Sequence, residues 1–277
     1  MKVRILTAVG MAVVGIPILI FSKYIVFPIT VAILALFAVY EMLHAIGLER
    51  KYFISIPAYL IAPTLPILAY FIKPEQRLGF ILVMAAALFS YLIYLFYVAV
   101  FMRGRLLYAD VGRAFVSVAY VVSSFTAMAI LRYMEGGLWL FVLLLVCAWG
   151  SDVCAYFTGV LIGRHKLIPE ISPKKTVEGA VGGIVGAALL ALLYGFIVSR
   201  ATAYSANYIV LAVAGVVLSA SSQVGDLIAS LIKRESGIKD YGKIFPGHGG
   251  VMDRFDSVMS IATILMIISI IFPPFAL

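Results

Sequence analysis

The sequence predicts an all-α, polytopic integral membrane protein of about nine transmembrane helices. Two observations carry this. The 277-residue chain is 64% hydrophobic, has a mean hydropathy of +1.12 and is only 12% charged, where an ordinary soluble domain carries about 25% charged residues. Its apolar stretches also run to about twenty residues, the helix length that crosses a bilayer core. Barrel strands would be about ten residues long and would alternate apolar with polar. These runs do not alternate, which leaves helices.

Taken in order, the predicted spans are about 3–22, 24–47, 53–72, 77–101, 109–132, 137–163, 177–199, 206–232 and 254–275. The first follows Lys2 and Arg4 as a signal peptide would. Its apolar run is too long, and no small-x-small cleavage site follows, so it reads as a span. If the N-terminus is cytoplasmic, 16 of the 21 Lys and Arg fall on the cytoplasmic side, Arg103 and Arg105 among them. The other side holds only Lys23, Lys73, Arg77, Arg132 and Arg200. That bias predicts an N-in, C-out chain, and it makes the net charge of +8 a matter of loops facing anionic headgroups, not of nucleic acid. Cys147 and Cys154 lie seven apart on one predicted helix, about 10.5 Å along its axis, and cannot pair with each other.

Polarity divides the chain. Residues 1–136 read as a scaffold of five spans in which Glu41 is the main polar exception, expected as an interfacial carboxylate near Arg50 or Arg113. Residues 137–277 read as a catalytic domain of four spans. Span six carries Ser151 and Asp152, and span eight carries Ser221, Ser222, Gln223, Asp226 and Ser230. The longest polar loops follow these two spans, on the same predicted face.

The stretch Ser230–Asp256 holds nine charged residues in 27 positions. Charge is costly beside a membrane core, so a dense mixed cluster points to a phosphate and a metal ion handled together. Gln223, Asp226, Ser230 and Lys233 are spaced 3, 4 and 3, and so form one helical stripe. Asp226 lies about 10 Å deeper than Lys233. It is either a metal ligand in a wet cavity or the ion-pair partner of Lys233 or of another helix's Arg. Asp253 and Asp256 share a face at the start of span nine, where the helix dipole favours acids. The three carboxylates Asp226, Asp253 and Asp256 suit a hard ion such as Mg²⁺, alone or with a second cation. The glycine-rich Phe245–Gly250 turn lets backbone approach a phosphate, with span nine's N–H groups aimed at it. His248 is a phosphate donor or simply a loop histidine. Asp152 either orients a ligand or makes a structural hydrogen bond. Ser172, Lys174, Lys175 and Thr176 suit a triphosphate, although the two lysines are also ordinary positive-inside residues.

Sixteen positions of this stretch fit the signature of the phosphatidate cytidylyltransferases. They are Ser230, Lys233, Arg234, Lys239, Asp240, Gly242, Phe245, Pro246, His248, Gly249, Gly250, Val251, Asp253, Arg254, Phe255 and Asp256. Upstream, Ser151–Tyr156 and Ile171–Gly179 also resemble that family. The likeness is strong over about 145–257. It implies transfer of a cytidylyl group from CTP to phosphatidate, a Mg²⁺ requirement, multiple membrane helices, and often a homodimer. On this reading Asp226, Asp253 and Asp256 hold metal, with Lys233 beside them. Asp152, Ser172, Lys174, Lys175, Ser230, Arg234, Lys239, His248 and Arg254 bind substrate at the cytoplasmic face of the cell membrane. Another CTP-dependent lipid enzyme, such as a polyprenol kinase, is the main alternative. A transporter would need polar residues along a whole path, and here polarity sits at one end of three spans.

Overall fold

The structure, a computed structural model, describes residues 2–102 and 106–277, the side chains of residues 2–5 excepted. Arg103 and Arg105, and the side chains of Lys2 and Arg4, all counted in the cation bias, lie outside the described residues. Nine α-helices are found there: α1 (Lys2–Ile20), α2 (Val26–Ala45), α3 (Tyr52–Leu68), α4 (Arg77–Phe101), α5 (Tyr108–Arg132), α6 (Gly137–Ile162), α7 (Val177–Ala201), α8 (Tyr208–Glu235) and α9 (Met252–Ile271). Eight are long and apolar enough to cross a membrane, α3 together with the single 3₁₀ turn Ala69–Phe71 that extends it. In α1 the apolar run described is Leu6–Ile20.

The helices follow the apolar runs because a chain in hydrocarbon must satisfy its own backbone. Their outward faces stay apolar: Leu82, Val83, Phe89, Leu161, Leu189 and Ile209 are all exposed. Three prolines sit inside α3, at 57, 63 and 66. Pro66 falls in its last turn, just before the tighter 3₁₀ turn, as the lost N–H donors lead one to expect.

The chain forms two compact units. The first comprises Met1–Ile130 with Ser236–Arg254. In it α2 packs on α1 and α3, and α3 on α4. The second comprises Leu131–Glu235 with Phe255–Leu277 and is built on the mutual packing of α6, α7 and α8. Buried polar pairs zip this second unit. Ser151 and Ser219 lie 2.6 Å apart through their hydroxyls, and Gln223 Nε2 donates to the Ala180 carbonyl at 3.0 Å. A Cβ at Gly183 would meet Gln223 Nε2 at 2.8 Å, so the close approach of α7 to the Gln223 side chain requires glycine there.

The stretch between α6 and α7, expected as a loop, is an antiparallel hairpin of β1 (Lys166–Ile168) and β2 (Ser172–Thr176). Thr176 ends it and caps α7, its hydroxyl accepting from Gly179 N–H at 3.1 Å. Glu178 ties the hairpin's start to the helix by accepting from the backbone N–H groups of Arg164 and His165. A second small pairing joins β3 (Ser205–Ala206) to β4 (Phe275–Ala276).

Candidate functional site

In the second unit, α8 and α9 bring carboxylates to one level. Gly225 has no room for a Cβ, which would strike the Ser260 side chain, so α9 runs close against α8 there. Asp226 follows Gly225, and Asp256 lies one turn before Ser260. Asp256 is within electrostatic range of Asp226, Lys233 and Asp152. Ser257 links two of these acids: its hydroxyl lies 3.2 Å from Asp152 Oδ2 and 3.5 Å from Asp256 Oδ1. Its N–H donates to Asp256 Oδ1 at 2.8 Å. Ser257 was not anticipated from sequence, where a serine after an aspartate in a helix carries no distinctive signal.

The cation paired with Asp226 is Lys175, Nζ to Oδ2 at 2.5 Å. It comes from β2, not from Lys233 on the same helix or from an arginine. Lys175 Nζ also lies 3.5 Å from the Gln223 carbonyl. Lys174 and Arg234 are exposed, and Ser172 and Ser230 are half-buried.

In the first unit the glycine turn is closed by its own backbone. Phe245 N–H donates to Gly249 O at 2.9 Å and His248 N–H to Phe245 O at 2.8 Å. Gly247 and Gly249 hold φ of 74° and 86°, a region that disfavours side chains. The donors that follow do not wait for a phosphate. Val251 N–H donates to Glu41 Oε1 at 3.0 Å, and Met252 N–H to Glu41 Oε2 at 2.8 Å. Tyr241 N–H and Gly250 N–H donate to Asp253 Oδ2 at 2.8 and 3.0 Å. The anion at the N-terminus of α9 is therefore a carboxylate of the protein itself, which corrects the expectation of free N–H groups there.

Glu41 is likewise not an interfacial acid near Arg50 or Arg113. It is 2% exposed. A buried carboxylate is tolerated only when hydrogen-bonded, and these two backbone donors, reinforced by the helix dipole, meet that demand. The Glu41 carboxylate also fills the space where a Cβ would stand on Gly242 or Gly250. Gly250→Ala is therefore expected to lower stability by about 1–3 kcal/mol, the usual cost of overpacking. Thermal unfolding in detergent checks this, and an unchanged transition would contradict it.

Cationic side chains also stand ready to meet an anion in this unit. A cavity of about 730 Å³ is lined by Lys239, Lys243, His248 and Arg254, with Asp240 and the glycine turn completing its wall. Among the described residues, His248 Nδ1 is buried with no hydrogen-bond partner, an open position on a cationic wall. Among the described residues, no three His, Cys, Asp or Glu side chains converge as a ready-made metal cage. Mg²⁺ does not need one: it is held by one or two carboxylates completed by water and substrate phosphates. The all-oxygen set of Asp152, Asp226 and Asp256 fits that chemistry, with Lys175 paired to Asp226 and Lys233 within electrostatic range of Asp256.

A bundle of membrane-crossing helices with an acidic cluster and a cation-lined cavity defines a polytopic membrane protein built to handle charged groups. The chain belongs to the cytidylyltransferase family, whose family model matches residues 2–272. It is 34% identical over 278 residues to the phosphatidate cytidylyltransferase of Staphylococcus aureus (strain COL), covering 98% of this chain and 99% of that one. It is 35% identical over 279 residues to the phosphatidate cytidylyltransferase of Bacillus subtilis (strain 168), covering 98% of each.

Proposed function

We propose that the chain is a nucleotidyltransferase that moves the cytidylyl group of CTP onto phosphatidate, forming CDP-diacylglycerol and pyrophosphate. The observation that carries this reading is the grouping of Asp152, Asp226 and Asp256 with Lys175 inside an apolar helix bundle. The full-length likeness to phosphatidate cytidylyltransferases supports the choice of substrates.

An oxygen of the phosphatidate monoester attacks the α-phosphorus of CTP. A new P–O bond forms, the bond from α-phosphorus to the bridging oxygen breaks, and pyrophosphate leaves with that electron pair. The nucleophile is anionic near neutral pH, so no strong general base is required. The protein's task is positioning and charge neutralisation. His248 and Arg254, on the wall of the cationic cavity, hold the nucleotide phosphates. Asp226 and Asp256, with Asp152 held by Ser257, would bind Mg²⁺, alone or with a second cation. When bound, that ion neutralises charge developing on the phosphates. Lys175 pairs with Asp226 and orients it until then. Asp253 serves the turn by accepting from Tyr241 and Gly250.

The distribution of Lys and Arg supports nine crossings with the N-terminus and the active site on the cytoplasmic face of the cell membrane. The family resemblance supports a homodimer. The test is direct: protein purified in detergent, given radiolabelled CTP and phosphatidate, forms labelled CDP-lipid with Mg²⁺ and loses that product when the ion is chelated. No CDP-lipid under any condition would overturn the reading.

A further inference from the structure

A second cavity in the first unit has a character unlike the cationic one. It has a volume of about 880 Å³ and lies against the second half of α2, the middle of α3 and the segment 238–244. Its walls include Leu36, Phe37, Tyr40, Tyr59 and Ile244, with Tyr40 stacked on His44. Phe37 and Tyr40 are 43% and 46% exposed. The size falls within the range of small-molecule sites, about 300–1,000 Å³. Lys239, Asp240, Gly242 and Lys243 line this cavity and the cationic one alike. One short segment is thus the common wall of an apolar hollow and a polar one.

We propose that the apolar cavity is the docking groove of the glycerophospholipid substrate, with its phosphomonoester at Lys239 and Lys243 and its glycerol and first acyl carbons against Phe37, Tyr40, Tyr59 and Ile244. This rests on the reading given under Proposed function and assigns its lipid substrate to a place. The charge pattern fits a lipid anion. The acids on the wall are Glu41 and Asp240. Both oxygens of Glu41 already accept backbone N–H groups, so two lysines stand against one remaining acid, Asp240. His44 lies near Glu49, Nδ1 to Oε1 at 3.4 Å. Leu36 to His44 lie along the second half of α2 and Tyr59 in the middle of α3, helices long and apolar enough to cross a membrane, so the groove is placed to receive an acyl chain from the bilayer. A base would stack on the aromatic rings, but the aliphatic Leu36, Ile238 and Ile244 on the same wall suit acyl carbons.

The test uses the full-length protein in mixed micelles and a phosphatidate carrying a diazirine near the glycerol end of one acyl chain. After photolysis, mass spectrometry is expected to find label within residues 36–44, at Tyr59 or within 238–244. Unlabelled phosphatidate should compete it away at least tenfold better than phosphatidylcholine. Label confined elsewhere, or labelling that phosphatidate does not displace, as when another protein surface fills the groove, overturns the proposal. A kinetic arm uses Phe37→Ala and Ile244→Ala. Each is expected to raise KM for phosphatidate about five- to tenfold, leaving kcat and KM for CTP within twofold. Equal changes in both KM values, or none, contradict it. Cross-linking needs no turnover: if the protein makes no CDP-lipid yet labels specifically, the proposed reaction falls and the lipid groove stands.

Discussion

Glu41→Ala is expected to lower turnover at least about 100-fold and to destabilise the protein by about 3–5 kcal/mol. The first figure follows from how steeply rate depends on placement, since a displacement of about 1 Å in positioning groups can cost a factor of about 100. The second follows from removing both acceptors of Val251 and Met252 N–H, each a charge-assisted bond worth about 1.5–3 kcal/mol, and leaving the donors buried. Without that carboxylate the first turn of α9 loses its anchor to α2, and with it the fixed placement of Asp253 and Arg254. Glu41→Gln keeps one acceptor oxygen and turns an amide donor toward the other N–H, so it should fall between alanine and wild type in both measurements. Assays of CDP-lipid formation beside thermal unfolding of the three proteins decide it. Wild-type behaviour of Glu41→Ala would remove the brace from the account.

Asp256→Asn is expected to lose more than about 100-fold in turnover while unfolding at nearly the wild-type temperature. The loss is on the scale of deleting one key electrostatic group from a catalytic site. Stability should hold because asparagine keeps an oxygen for Ser257 N–H and relieves repulsion among Asp152, Asp226 and Asp256. Asp226→Asn should behave likewise in turnover, with some added loss of stability as Lys175 gives up its partner. Asp253→Asn is the control. Asparagine retains one oxygen for the Tyr241 and Gly250 donors, so its loss should be clearly smaller than that of Asp256→Asn. Turnover measured over a range of Mg²⁺ concentrations separates the three: Asp226→Asn and Asp256→Asn should require more Mg²⁺, and Asp253→Asn should not. A normal rate and normal Mg²⁺ dependence in Asp256→Asn would take that residue out of the metal site.

The helices were legible because hydrocarbon leaves the backbone no alternative. Each run of about twenty apolar residues became a helix whose ends lie a few residues from the expected ones, as with 137–163 and Gly137–Ile162. The acidic stripe on α8 and the acids opening α9 were legible from helical spacing. What escaped was long-range. Glu41 finds its donors 210 and 211 residues away, and a lone carboxylate on an apolar helix gives no local hint of that. Spacing on α8 offered Asp226 a metal ion, Lys233 or another helix's Arg, and gave no hint of Lys175, which tertiary packing supplies from a distant strand. The hairpin 166–176 escaped because Ser-Pro-Lys-Lys-Thr has neither apolar alternation nor strong strand propensity. The segment 236–254 reads as a loop between two spans, yet its turn is anchored by an acid from α2.

Cleavage of CTP at its α-phosphorus is tested by the fate of two labels. Purified protein is given phosphatidate and Mg²⁺ with CTP carrying ³²P at either the α or the γ position. α-Label is expected in the lipid product and γ-label in pyrophosphate, one for one. γ-Label in the lipid, with CDP released, would mean phosphoryl transfer by a kinase and would contradict it.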